Sequence, residues 1–219
     1  MELYLHEAIT LISLDDEKGN FTAAGGYINY AFAAALVMDL ILEERAELRD
    51  DYLHLTTNAI TESRALNQYI DDIRKRKKEL KIKDWLHLLV TSSKYRNLCV
   101  DRLVQQGILQ RTEKKVLWVF TLDRYPMLNG KPEKNLRERL RALMLEEQAG
   151  EPTEKERMLL GIVHHCHLYP GLLPEKQDRK TAKARLEILT SEGAMQSHLG
   201  KAIQDMHTAI MVTTMATVS

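Results

Sequence analysis

The densest chemistry in the sequence is the run RKRKKELKIK at residues 74–83, followed at once by Asp84 and Trp85. Closely spaced cations draw an anionic surface, either lipid or nucleic acid. Near an anionic membrane each contributes about 1 kcal/mol. Tryptophan beside such a run suits the water–lipid boundary, with its apolar body inward and its N–H outward. The competing reading is a solvated helix end whose cations complement the helix dipole. A second cluster is His164-His165-Cys166-His167. On a helix His164 and His167 share a face, but a structural zinc needs two further ligands. The only other cysteine, Cys99, stands alone, so no metal site and no cofactor are expected. The acids Asp15, Asp16 and Glu17 read as a solvated connection. No GxSxG, GxxxxGK[ST], GxGxxG or HExxH pattern occurs, and the chain reads as non-enzymatic.

Residues 84–121 carry an alternative. Two short helices joined at Thr91-Ser92-Ser93, then Gly107 and a hairpin tipped by Lys114-Lys115, have the order of a winged helix that binds nucleic acid. Its recognition helix would offer Lys94, Arg96, Asn97 and Arg102. The charge balance speaks against it: 31 Lys plus Arg against 31 Asp plus Glu give a net charge of zero. A protein that coats a duplex is usually basic.

The elements that must position these residues are mostly helical. Gly and Pro number 10 and 5 in 219 residues and aromatics are 6%, a balance that favours helices over sheets. Apolar spacing predicts helices over 2–14, 27–44, 62–80, 84–91, 94–106, 133–148, 153–168, 175–192 and 196–216. Thr153 and Glu156 form a capping box. Gly107 sits where a helix-ending glycine belongs. AELR and YLHL around Asp50-Asp51 read as a hairpin. A second hairpin is expected over 108–122 with its turn at Thr112–Lys115. The expected fold class is mainly α: a single helical-bundle domain over 1–219, with amphipathic helices around a buried core and two or three short β-hairpins. Two cysteines fit a reducing, cytoplasmic setting. MELYLHEAIT is not a secretory signal. The uncharged run Asn20–Met38 is interrupted by Gly25, Gly26 and Asn29, so it reads as a core helix and not a span.

Several stretches converge on one family. LYLHEAITLISLDDEKGN, YAFAAALVMDLILEERAEL, RNLCVDRLVQQGIL before a hairpin, LRERLRALM and RMLLGIVHHCHLYPGLL occur in the order seen in the Golgi phosphoprotein 3 (GPP34-domain) family. The sequence resembles that family over nearly its whole length. It lacks the long N-terminal region of eukaryotic members, which points to a bacterial-type member. The resemblance implies a peripheral membrane protein that binds anionic phospholipid headgroups, phosphatidylinositol 4-phosphate in particular. It also implies an adaptor role for membrane proteins at the cytosolic Golgi face in eukaryotes. The family's headgroup site, carried over, falls on Trp85, Arg96, Lys155 and Arg157. Glu154 and Glu156 interleave the last two cations, and the proline that commonly follows the tryptophan is absent. A hydrophobic hairpin that serves membrane contact and self-association, as a homo-oligomer, falls on LYPGLLP, with Tyr169, Leu172 and Leu173 as the contacting residues. Nucleic acid is not an expected partner.

Overall fold

The computed structural model describes residues 2–15, 17–21, 27–57, 59–116, 120–190 and 208–209, with 114–116 and 120–122 described as backbone only. Asp16, Gly25, Gly26, Trp118 and all but two residues of the expected helix 196–216 lie outside that set. The order is α1 (Leu5–Ser13), α2 (Tyr27–Leu42), β1 (Ala46–Arg49), β2 (Tyr52–Leu55), α3 (Arg64–Arg74), α4 (Ile82–Thr91) and α5 (Lys94–Gln105). Then come β3 (Thr112–Val116), β4 (Phe120–Arg124), α6 (Lys131–Leu145), α7 (Glu154–His165), α8 (Tyr169–Leu172) and α9 (Lys176–Leu189). The described fold is mainly α, as expected, with two separate two-stranded antiparallel sheets.

α2 is the axis. Its alanines let neighbours approach closely, and residues Tyr30–Ile41 are all buried. α1, α4, α7 and α3 pack around it. The one charge in this helix, Asp39, is 1% exposed and must be satisfied internally. It accepts the backbone N–H of Leu5 at 2.8 Å and of His6 at 3.0 Å. These are donors that a helix start leaves without intrahelical partners. His6 Nδ1 lies 2.6 Å from the same carboxylate, and His6 Nε2 lies 3.2 Å from Ser63 Oγ. Ser63 in turn caps α3 by accepting the Leu66 N–H at 3.3 Å. Next along α1, buried Glu7 accepts from Arg102 Nε of α5 at 2.7 Å. One polar chain thus ties α1, α2, α3 and α5 together.

Local signals decide the boundaries. α5 ends in a Schellman arrangement. Gly107 has φ +68, its N–H reaches Val104 O at 3.0 Å, and the Ile108 N–H reaches Leu103 O at 3.0 Å. The β1–β2 turn has positive φ at both Asp50 and Asp51, the twist that a two-residue hairpin needs. α3 stops at Arg74, short of the expected 80. Beyond it cations stack at i, i+4, and mutual repulsion disfavours further turns.

The second hairpin corrects the expected register. Thr112–Val116 is a strand, not a strand end plus a turn, and it pairs Thr112 with Arg124 and Val116 with Phe120. The pairing begins earlier, where the Leu128 N–H donates to Ile108 O at 2.9 Å and the Gln110 N–H donates to Pro126 O at 3.0 Å. That register moves the turn past Val116. Asp39→Ala should remove about 2–5 kcal/mol of stability in urea unfolding, because it orphans the buried α1 donors and His6. Asp39→Asn, which keeps an acceptor, should lose less. A loss of under about 1 kcal/mol for the alanine variant would contradict the role given to this carboxylate.

Candidate functional site

Three helix ends meet in a cleft of about 360 Å³. The last turn of α3 supplies Asp72, and the segment just after the helix supplies Lys75 and Arg76. α4 supplies Trp85, Leu88 and Leu89, spaced i, i+3, i+4 and so on one face. Ser92, Lys94 and Tyr95 come from the link into α5 and its first turn. α4 is set in place by the first hairpin, because its Ile82 N–H donates to Asp51 O at 2.7 Å. Trp85 is 3% exposed and is therefore a wall of this cleft with its bulk in the core, not a protruding anchor. Its ring meets Tyr69 edge-on at 5.3 Å, and the Arg76 guanidinium lies 5.0 Å from its centroid. Leu88, on the next turn of α4, is exposed.

Asp72 is the acid of the cleft. Its Oδ2 accepts from Lys94 Nζ at 2.7 Å and from the Tyr95 hydroxyl at 2.5 Å, and its Oδ1 accepts from Gln68 at 3.1 Å. Burial alone would raise this carboxyl. The Lys94, Tyr95 and Gln68 interactions outweigh burial and hold it below the ordinary aspartate range. Burial, then the bond to Asp72, pushes the Tyr95 phenol well up, so Tyr95 stays a donor. Behind both rings Tyr69 is wholly buried, and its hydroxyl has no hydrogen-bond partner among the described residues. Lys75 and Arg76 pair with no carboxylate among the described residues. The cleft can thus hold an anion against two free cations and an aromatic wall.

A family model described as Golgi phosphoprotein 3 (GPP34) matches residues 5–210. The chain belongs to this family. Among the curated proteins no sequence matches it.

In this GPP34 chain two of the four headgroup residues carried over from the family, Trp85 and Lys155, line different clefts. Trp85 lines the cleft just described. Arg96 is half-buried, bonds to Asn29 Oδ1 and lies 5.0 Å from the Phe21 ring. Lys155 pairs with Glu2 at 2.9 Å and Arg157 with Glu151 at 2.7 Å. The α7 start carries its own cap, beside a separate cleft of about 430 Å³ that Glu2, Thr153, Lys155 and Glu156 line. Thr153 Oγ1 accepts the Glu156 N–H at 3.2 Å, and Glu156 Oε2 accepts the Thr153 N–H at 2.7 Å. The capping box read from sequence is present, and it uses donors that an anion would need. The apolar tip folds back as well. Leu173 is fully buried, so it cannot touch a membrane in this conformation, and Tyr169 and Leu172 pack half-buried against the core. Pro170 and Gly171 fall inside the short α8, because proline suits a first helical turn.

The cations of the winged-helix alternative are likewise engaged. Lys94 is held by Asp72, Arg96 by Asn29, and Arg102 by Glu7. Ser63, His6 and Asp39 have the residue types of a hydrolytic relay, but each is at most 1% exposed and Ser63 already caps α3. They act as a tie between helices.

The histidines ending α7 do not assemble a metal site: no group of three ligating side chains occurs among the described residues. The His164 and His165 rings lie 4.7 Å apart, and His167 stands edge-on to Tyr27 at 5.6 Å. Burial, then the neighbouring His164 and His167, lowers His165 to about 4. The unfolded chain binds this proton from the ordinary value of 6.5 downward, whereas the fold refuses it until about 4. Stability is therefore full above the ordinary value and falls as pH drops across that window. Thermal unfolding over this range should show that decline, and His165→Gln should flatten it. An unchanged slope in the variant would count against His165 as the source.

Proposed function

We propose that this GPP34 chain is a non-catalytic, peripheral membrane protein that binds anionic phospholipid headgroups through the α3–α4–α5 cleft. Family membership supports the lipid reading, with phosphatidylinositol 4-phosphate as its natural candidate and an adaptor role for membrane proteins beside it. No helix among the described residues is long and apolar enough to cross a membrane, so attachment would be from the surface. The carrying observation is that Lys75 and Arg76 flank Trp85 with no carboxylate claiming them, whereas Lys155 and Arg157 are spent on Glu2 and Glu151. A headgroup phosphate would take Lys75 and Arg76, the latter through a two-pronged contact. Trp85 would back the Arg76 guanidinium from within the wall, and exposed Leu88 at the rim would enter the interface. Lys77 and Lys78 extend the same positive edge.

Flotation with phosphatidylcholine vesicles, with and without phosphatidylinositol 4-phosphate, tests this. The protein should float only with the phosphorylated lipid. Lys75→Ala with Arg76→Ala should remove about 2 kcal/mol, roughly thirty-fold in partition, and Lys155→Ala with Arg157→Ala should leave binding near wild type. Equal flotation with neutral vesicles would end the headgroup reading. Loss confined to the Lys155 and Arg157 variant would move the site to α7.

A further inference from the structure

The cleft of about 430 Å³ lies between α1 with the segment before it, the first turns of α6 and the start of α7. It shares no lining residue with the α3–α4–α5 cleft. Its inner surface is apolar: Leu5, Ala8 and Leu159 are buried there, and Leu3 and Leu136 close it half-buried. Small-molecule sites have this size and this lining, with a few polar groups that orient the ligand. Among the described residues the one cation in the wall is Lys155, whose ammonium lies 2.9 Å from Glu2. The Glu2 side chain is 82% exposed and that of Lys155 31%. So exposed an ion pair is weak, and a carboxylate better placed than Glu2 can displace it. Glu156, the other acid of the wall, is occupied. It accepts from Arg139 Nε at 2.7 Å and from the Thr153 N–H at 2.7 Å. Arg157 does not line the cleft and pairs with Glu151.

We infer that this cleft binds a single-chain carboxylic acid, with its carboxylate on Lys155 in place of Glu2 and its hydrocarbon chain against Leu3, Leu136 and Leu159. One ammonium matches one negative charge. A doubly charged head finds no second cation in this wall, and repulsion from Glu156 grows with each charge it brings. The balance therefore selects a carboxylate over a phosphomonoester. The chain is what the leucine floor recognises, and each methylene taken out of water tightens binding about fourfold. Charge at the mouth and apolar surface below it are both needed, so neither a short acid nor a neutral chain satisfies the site. The site stands apart from the headgroup reading above, because Lys75, Arg76 and Trp85 take no part in it.

The test titrates butanoate, hexanoate, octanoate and decanoate, each below its micelle concentration, into the full chain and follows the methyl chemical shifts of Leu3, Leu136 and Leu159. Saturable shifts at these leucines are expected, with affinity rising about fourfold per methylene until the chain fills the cleft. Decanol, with the same chain and no charge, should bind about tenfold more weakly than decanoate. Lys155→Met should bring decanoate down to the decanol level and leave decanol unchanged. Lys155→Gln is the second variant should methionine unsettle the α7 start, with thermal unfolding as the check on both. Glu2→Gln should tighten decanoate about threefold by freeing Lys155. Shifts that do not saturate, or that fall away from these leucines, overturn the inference. So does an affinity that ignores chain length, and so does decanoate binding that equals decanol or survives both Lys155 variants. Lys75→Ala with Arg76→Ala should leave decanoate binding unchanged, so a failure here and a failure of the headgroup reading are told apart.

Discussion

A carboxylate inside the most apolar helix fixes the rest of the molecule. Asp39 cannot stay unpaired in α2, and among the described residues the donors that meet it are the free N–H groups opening α1 and the His6 ring. Satisfying it locks the start of α1 against the middle of the core. Once α1 is placed, His6 reaches Ser63 and so the N-cap of α3, while Glu7 reaches Arg102 and so the last turn of α5. α3 and α5 are the helices whose other ends form the two polar walls of the cleft. Buried polar chains of this kind contribute little net stability when complete, but breaking one is expensive. Their structural value lies in admitting a single arrangement of four helices.

The cleft inherits its electrostatics from that arrangement. Zero net charge for the whole chain conceals a local imbalance, because several cations elsewhere are matched by acids. Arg139 is taken by Glu156, Arg141 by Asp178 and Arg111 by Asp101. At the α7 start, where the family's basic pair would lie, a capping box uses two backbone donors, and Lys155 and Arg157 pair with Glu2 and Glu151. The segment after α3 differs because its cations follow one another in sequence, with few acids among them and none paired with Lys75 or Arg76 among the described residues. Positive charge therefore remains there without a paired carboxylate, whereas Lys155 and Arg157 each face one.

Much of the fold was legible from local chemistry. The Thr153 box, the Gly107 helix end, the Asp50-Asp51 turn and the burial of α2 are each encoded within a few residues, and each appears as read. The β3–β4 turn was misplaced because pairing starts at Ile108 and Leu128, a long-range register that alternation alone does not report. The site was half legible. Residues 74–83 and Trp85 marked the right place. Glu2, the partner of Lys155, lies at the far end of the chain and carries no local signal, whereas an ion pair of Arg157 with a neighbouring acid is legible in the sequence and is made with Glu151. Asp72, Lys94 and Tyr95 were missed as a set. Their signal was the nearness in sequence of Asp72 to Lys75 and Arg76 at a helix end, and the helical spacing of Trp85 with Leu88 and Leu89.

Hydrogen–deuterium exchange of the full chain, with and without vesicles containing phosphatidylinositol 4-phosphate, tests the location of the membrane-facing site most directly. Backbone amides at 72–78 and 92–95 should slow on vesicle binding, while those at 153–159 and 168–173 stay unchanged. Protection confined to the α7 start and the 168–173 segment, with the cleft unaffected, would contradict the account.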